Sequence, residues 1–242
     1  YEALSYASGF SSDQCPEAIV GVAGTSLRIL VPEHLGGAFN ASGCRLRYTP
    51  RAMAISEDHK VVAVGQADCG VVPNRFVTAA AAPGGEDDDM EVEGEPEGGR
   101  EVQLGAVRGP ADQWGSCIEV IDAATLKVSS RVDMEDNFAV TSMSLARFEG
   151  QERDLLVVGC ARNVTLQPRG CDGGEVRVYS FAEGGKSLEL VHATSVTDVP
   201  RCIEPFQGRV LVGVGKALVL YEMGKKQLLK KSECRKFPHF VV

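Results

Sequence analysis

Phe206-Gln-Gly-Arg-Val-Leu-Val-Gly-Val-Gly-Lys-Ala-Leu-Val-Leu-Tyr-Glu-Met-Gly-Lys-Lys-Gln-Leu-Leu-Lys-Lys231 decides the fold. It reads as three short strands in series, Arg209 to Val214, Ala217 to Met223 and Gln227 to Lys231, with turns at Gly215 and Lys216 and at Gly224 to Lys226. Glycine accepts the positive φ that tight turns require. The spacing leaves no room for a crossover helix, so successive strands must be antiparallel neighbours in one small sheet.

The same unit recurs upstream. Asp154 to Gly159, Gly174 to Phe181 and Ser187 to Ala193 repeat the three strands, and Val178-Tyr179 parallels Leu220-Tyr221. Earlier, His59 to Gly65 goes with Cys117 to Asp122 and Leu126 to Val132, and Ala18 to Val22 goes with Ser26 to Val31. A further apolar stretch precedes the first strand at Ala52 to Ser56, Val140 to Phe148 and Arg201 to Phe206, making four strands per unit. Repeated four-stranded antiparallel units without helical periodicity predict an all-β chain, a β-propeller of about four blades without the Trp-Asp signature. A lone blade exposes both faces and must stack on others. An ordinary β-sandwich is the alternative.

At 242 residues and 44% hydrophobic, the chain can bury a sizeable core. No run approaches the length that spans a bilayer, and no leader pattern is present, so no membrane partner is expected. The chain opens at Tyr1 in what reads as mid-blade and ends at Val242 where another blade would begin. The expectation is that residues 1–242 are part of something larger.

The formal charge of −8 is carried by one segment: Glu86, Asp87, Asp88, Asp89, Glu91, Glu93, Glu95 and Glu97 account for all of it. The balance of the chain is neutral, which gives neither a DNA-steering field nor a membrane-seeking face. Those acids belong to residues 74–113, almost without large apolar side chains, expected as a flexible excursion between the second and third strands of a blade. An acidic arm gripping a basic partner is the functional alternative.

Eight cysteines (15, 44, 69, 117, 160, 171, 202 and 234) lack the close pairs that zinc requires. Their even count and the sequons at Asn40 and Asn163 fit a secreted module, but Cys117, Cys160 and Cys202 lie in apolar strands, where a thiol packs as a small hydrophobe. A reduced, intracellular protein is expected. His34, His59, His192 and His239 are scattered, and no nucleophile elbow is present. Gly213-Val-Gly-Lys-Ala217 leads into a strand rather than a helix, so it reads as a hairpin turn and not a phosphate loop. No catalytic residue, metal or cofactor, and no small-molecule substrate, is expected. Lys225, Lys226, Lys230 and Lys231 read as solubilising charges on a sheet edge, which leaves RNA contact secondary.

Several stretches carry a resemblance beyond pattern. Tyr6-Ala-Ser-Gly-Phe-Ser-Ser-Asp-Gln-Cys-Pro-Glu-Ala-Ile19, Thr25-Ser-Leu-Arg-Ile-Leu30, Tyr48-Thr-Pro-Arg51, Gln113-Trp-Gly-Ser116 and Pro205 to Lys216 followed by Gly224-Lys-Lys226 closely resemble the splicing factor 3b subunit 3 family. The large damaged-DNA-binding subunit and the largest cleavage and polyadenylation specificity factor subunit look like more distant members. The resemblance covers nearly the whole chain and fails mainly in the acidic stretch. It implies three seven-bladed propellers, of which this chain would be part of the third, with no enzymatic activity. It further implies a nuclear scaffold of the spliceosome's branch-site particle, clamping a helical-repeat subunit and a small subunit. An adaptor for a cullin ubiquitin ligase or for mRNA 3′-end processing is the alternative. A propeller hydrolase or glycosylated extracellular module is a third, and would show disulfides or glycans at Asn40 or Asn163.

The expected partner-binding residues are Gly9, Phe10, Gln14, Cys15, Pro16 and Glu17, a polar approach to a strand that packing alone does not demand, followed by Asp198 and Arg201. The bland alternative is that Phe10 fills the core and the others shape turns. Tyr48 and Arg51 read as structural, because Pro50 biases Thr49 towards extended backbone.

Overall fold

Apolar runs bracketed by turn residues become strands, and no described residue is helical. The computed structural model describes residues 3–8, 17–23, 26–30, 43–77, 105–225 and 227–242, in two units, Tyr1–Ser42 and Gly43–Val242.

The first unit is an antiparallel three-stranded sheet of β1 (Ala3–Ser8), β2 (Glu17–Ala23) and β3 (Ser26–Leu30), in that order. The second unit holds three four-stranded sheets. The first has β4 (Pro50–Ser56), β5 (Val61–Cys69), β8 (Trp114–Asp122) and β9 (Val128–Asp133), with a ribbon of β6 (Val71–Val77) and β7 (Gly105–Arg108) between β5 and β8. The second has β10 (Phe138–Ala146), β11 (Leu155–Arg162), β14 (Gly174–Ala182) and β15 (Ser187–Val196), with a small hairpin of β12 (Thr165–Leu166) and β13 (Arg169–Gly170) between β11 and β14. The third has β16 (Pro200–Phe206), β17 (Arg209–Val214), β18 (Ala217–Met223) and β19 (Leu228–Cys234). Every pairing is antiparallel. The expected repeat is therefore present, complete in three sheets and three-stranded among the described residues of the first unit.

The three sheets repeat in detail. Each first strand carries a register shift just after its start, at Arg51, Thr141 and Arg201, and each outermost strand carries another opposite Val120/Ile121, Val178/Tyr179 and Leu220/Tyr221. The Val-Tyr and Leu-Tyr parallel thus marks the same bulge, and Tyr179 and Tyr221 both turn into the core.

The core lies between sheets rather than on one side of each. Along β11, Leu156, Val158 and Cys160 pack with Ile118, Val120 and Phe138 towards the preceding sheet, while Leu155 and Val157 pack with Ile203, Val210 and Val212 towards the following one. A strand buried on both faces has to be a continuous apolar run, which is what Leu155 to Cys160 supplies. Contact is closest among the first strands β4, β10 and β16 and thins towards the outermost strands, so the sheets fan out instead of lying face to face.

Glycine permits the closest approach. Gly159 in β11 lies against the neighbouring sheet, and a Cβ there would run into Ser142 Oγ of its own sheet and come within 2.9 Å of the Pro200 carbonyl oxygen of the next. Thr141 Oγ1 and Ser142 Oγ donate to that same carbonyl at 2.6 and 2.7 Å.

Candidate partner-binding surface

The two ends of the fan differ. At one, the turn end, strands are joined by the connections 57–60, 123–127, 147–154, 183–186, 207–208 and 224–227. The other, the loop end, carries the ribbon β6–β7, the hairpin β12–β13 and the links 134–137, 197–199 and 215–216. The acidic stretch falls between β6 and β7, so the excursion does sit between the second and third strands of its sheet, and strands take up both of its ends.

Asparagines tie the loops of the loop end together. Asn137, at φ +59°, accepts the Trp114 N–H on Oδ1 at 2.8 Å and donates from Nδ2 to the Asp112 carbonyl at 2.9 Å and to Asn163 Oδ1 at 2.8 Å. Asn163, at φ +48°, donates in turn to Asp172 Oδ2 at 2.7 Å, so the amide of this sequon is engaged in the fold. Trp114 Nε1 donates to the Val164 carbonyl at 2.7 Å. Asparagine tolerates the left-handed region better than other side chains, and its two-sided amide satisfies loop backbone on neighbouring sheets at once. Asn137 carries no signal in the sequence, and Asn163 stands out there only as a sequon.

Of the expected contact residues, Gly9, Phe10, Gln14, Cys15 and Pro16 lie outside the described residues, and Glu17 is the first residue of β2. Asp198 lies on the link into a first strand, at the loop end. Asp198 Oδ1 accepts from the Val199 N–H at 2.6 Å and faces Cys171 Sγ at 3.7 Å, and a Cβ on Gly215, at φ +56°, would strike its carboxylate. Arg201 is the bulged residue of β16, half-buried, with its guanidinium 4.3 Å above the Phe240 ring. Tyr48 is 3% exposed and its hydroxyl accepts the Asn74 N–H at 3.0 Å; Arg51 Nε donates to the Ala67 carbonyl at 2.9 Å, so both are structural as expected.

Chemistry in the usual catalytic sense finds little footing. Among the described residues no three His, Cys, Asp or Glu side chains come together as metal ligands. Burial pushes the Cys117 and Cys160 thiols up to about 12, which removes the reactive thiolate, and all seven described cysteines are free. A groove of about 490 Å³ beside His192 is lined otherwise by Gly224, Lys225, Gln227 and Leu229. On β19, Lys230 pairs with Glu233 at 3.0 Å and Lys231 with Glu222 at 2.6 Å, consistent with lysines guarding an edge.

Residues 115–242 match the CPSF A subunit region family. The whole chain is 38% identical to splicing factor 3B subunit 3 of Danio rerio, covering 21% of that protein, and 36% identical to spliceosome-associated protein 130 A of Arabidopsis thaliana, covering 21%. It is 34% identical over its full length to pre-mRNA-splicing factor RSE1 of Mycosarcoma maydis, covering 20%. The chain thus spans about a fifth of the length of the curated relatives it matches.

Proposed function

This chain belongs to the CPSF A subunit region family, and from that premise we propose that it is a non-catalytic scaffold acting in pre-mRNA splicing, a propeller portion of the nuclear splicing factor 3b complex. The observation that carries the reading is similarity over the whole of this chain to about a fifth of the length of splicing proteins of a fish, a plant and a fungus. The fold suits the task. Fanned sheets buried on both faces hold their loops at fixed positions, and partner binding needs contact area and complementarity rather than activated side chains.

In this reading the propeller clamps the helical-repeat subunit and a small subunit for branch-site recognition. Its contacts are the Gly9 to Glu17 approach and the Asp198 and Arg201 link. The family's own description favours one second reading, an adaptor in mRNA 3′-end processing; a cullin ligase adaptor is the other member of that class. Affinity purification of the tagged chain from nuclear extract separates them. Co-elution of splicing factor 3b subunits is expected; polyadenylation factors or a cullin in their place would overturn the splicing assignment. Charge reversal at Glu17 and at Arg201 tests the contacts, with Phe240→Ala as a control for lost ring stacking at Arg201. Unchanged binding to the helical-repeat subunit in both reversals removes these residues from the interface.

A further inference from the structure

In each of the three four-stranded sheets the last strand in order, β9, β15 or β19, has no partner on its outer side among the described residues. Such an edge is a row of backbone N–H and C=O groups that another strand can complete, and proteins blunt it with charge, proline or shortness. β9 is six residues long and carries Arg131 and Asp133; β19 is seven long and carries Lys230, Lys231 and Glu233. β15 runs for ten residues, Ser-Leu-Glu-Leu-Val-His-Ala-Thr-Ser-Val, without lysine, arginine or proline, and Glu189 is its single carboxylate. All three strands share the bulge, so length and side chains are what set β15 apart.

The unguarded edge is also apolar where it meets solvent. Leu190 is 54% exposed and Val191, the bulged residue, 37%. Among the described residues no backbone hydrogen bond reaches β15 from anywhere but β14, so its outward N–H and C=O groups are open. Beside it lies the groove of about 490 Å³ between His192 and the turn from β18 into β19, with exposed Leu229 as an apolar wall. No carboxylate lines this groove, and Lys225 within it is exposed and forms no ion pair among the described residues. Lys230 and Lys231 of β19, by contrast, are paired with Glu233 and Glu222. Open strand backbone, an apolar hollow and one uncompensated cation thus meet at one place.

We propose that β15 takes on a fifth strand, an extended segment of a partner protein with apolar residues at alternate positions and a carboxylate that meets Lys225. The proposal rests on the scaffold reading above and specifies one of its binding surfaces. Only an extended chain presents backbone donors and acceptors at the repeat of a strand edge, which makes the occupant a strand rather than a helix. Its alternate side chains turn to the groove side, where Leu229 offers apolar contact and Lys225 a complementary charge.

The probe is a fluorescein-labelled ten-residue peptide of alternating valine and threonine with glutamate in place of one central valine, followed by anisotropy against the full chain. Leu190→Lys, which gives β15 the kind of guard that β19 carries, is expected to weaken binding at least fivefold, and Lys225→Glu at least threefold. Leu166→Lys in β12, where the leucine is 57% exposed, is expected to change it less than twofold. The same peptide N-methylated at its four central residues loses donors on both of its edges and is expected not to bind. Equal effects of Leu190→Lys and Leu166→Lys, or undiminished binding of the methylated peptide, overturn the assignment. A dimer seen by light scattering that Leu190→Lys dissolves would put a second copy of the chain on the edge, which overturns it as well. Co-elution with splicing factor 3b subunits is read in parallel. If it persists while the peptide ignores β15, this inference alone fails; if it is absent, the scaffold reading fails whatever the peptide does.

Discussion

Replacing Gly159 by alanine adds a single methyl at the point where consecutive sheets come closest. That methyl meets Ser142 Oγ and lies 2.9 Å from the Pro200 carbonyl oxygen and 3.0 Å from Pro200 Cγ. The carbonyl is main chain of the next sheet's first strand and cannot rotate away. Overpacking of this kind costs about 1–3 kcal/mol. Displacing Pro200 also strains the bonds from Thr141 and Ser142 to its carbonyl, at roughly 0.5–1.5 kcal/mol for one lost. Against this, alanine in a strand interior recovers about 0.5–1 kcal/mol of chain entropy. The net expectation is a loss of about 2 kcal/mol. Gly105, in β7, is the control, because a Cβ there meets nothing within 4 Å. Urea unfolding at constant m-value should show Gly159→Ala destabilised and Gly105→Ala neutral or slightly stabilised. Equal midpoints for the two variants would refute the close sheet-to-sheet approach.

Asn137→Ala removes three hydrogen bonds and leaves alanine in the left-handed region, a loss of about 3 kcal/mol; emission of the single tryptophan, Trp114, should shift to the red as its loop loosens. Arg131→Met strands the carboxylate of Glu119, 1% exposed, with Gln66 Nε2 at 2.7 Å as its remaining partner, and should cost about 2–3 kcal/mol, below the fully buried range because Arg131 is 28% exposed. Adding Glu119→Leu to Arg131→Met should recover part of that loss in thermal unfolding. The thiols of Cys117 and Cys160 stay protonated in the folded chain up to about 12, but ionise near their ordinary value of 9 once exposed. The stability they contribute is therefore complete below that value and is lost as pH rises towards the folded one, so melting temperature should fall between pH 9 and 11. A flat profile there would contradict the burial of both.

The strands were legible because burial on both faces demands unbroken apolar runs and glycine marks their turns. The expected Arg209 to Val214 and Ala217 to Met223 coincide with β17 and β18. Where side chains are small or polar, the signal vanishes. β8 begins at Trp114, three residues before the apolar run at Cys117, and Gly115 is there because the Tyr48 ring lies where its Cβ would be. The ribbon β6–β7 lies in a stretch that reads as loop, since Pro73, Asn74 and the adjoining acids argue against pairing and only the partner strand across the long excursion supplies it. Arg201 reads in the sequence as a candidate contact at the entry to a blade. Its bulge, shared with Arg51 and Thr141, turns it onto Phe240, a relation set by register and invisible in spacing. The asparagine network is long-range in the same way: the bond from Asn137 to Asn163 joins loops far apart in sequence.

Hydrogen exchange of the chain, alone and with the splicing factor 3b helical-repeat subunit bound, puts the scaffold account to its most direct test. Protection should concentrate in the proposed contacts, residues 9–17 and 197–201, and leave the short turns at 57–60, 123–127 and 183–186 exchanging as before. Protection confined to those turns, or none anywhere, would contradict it.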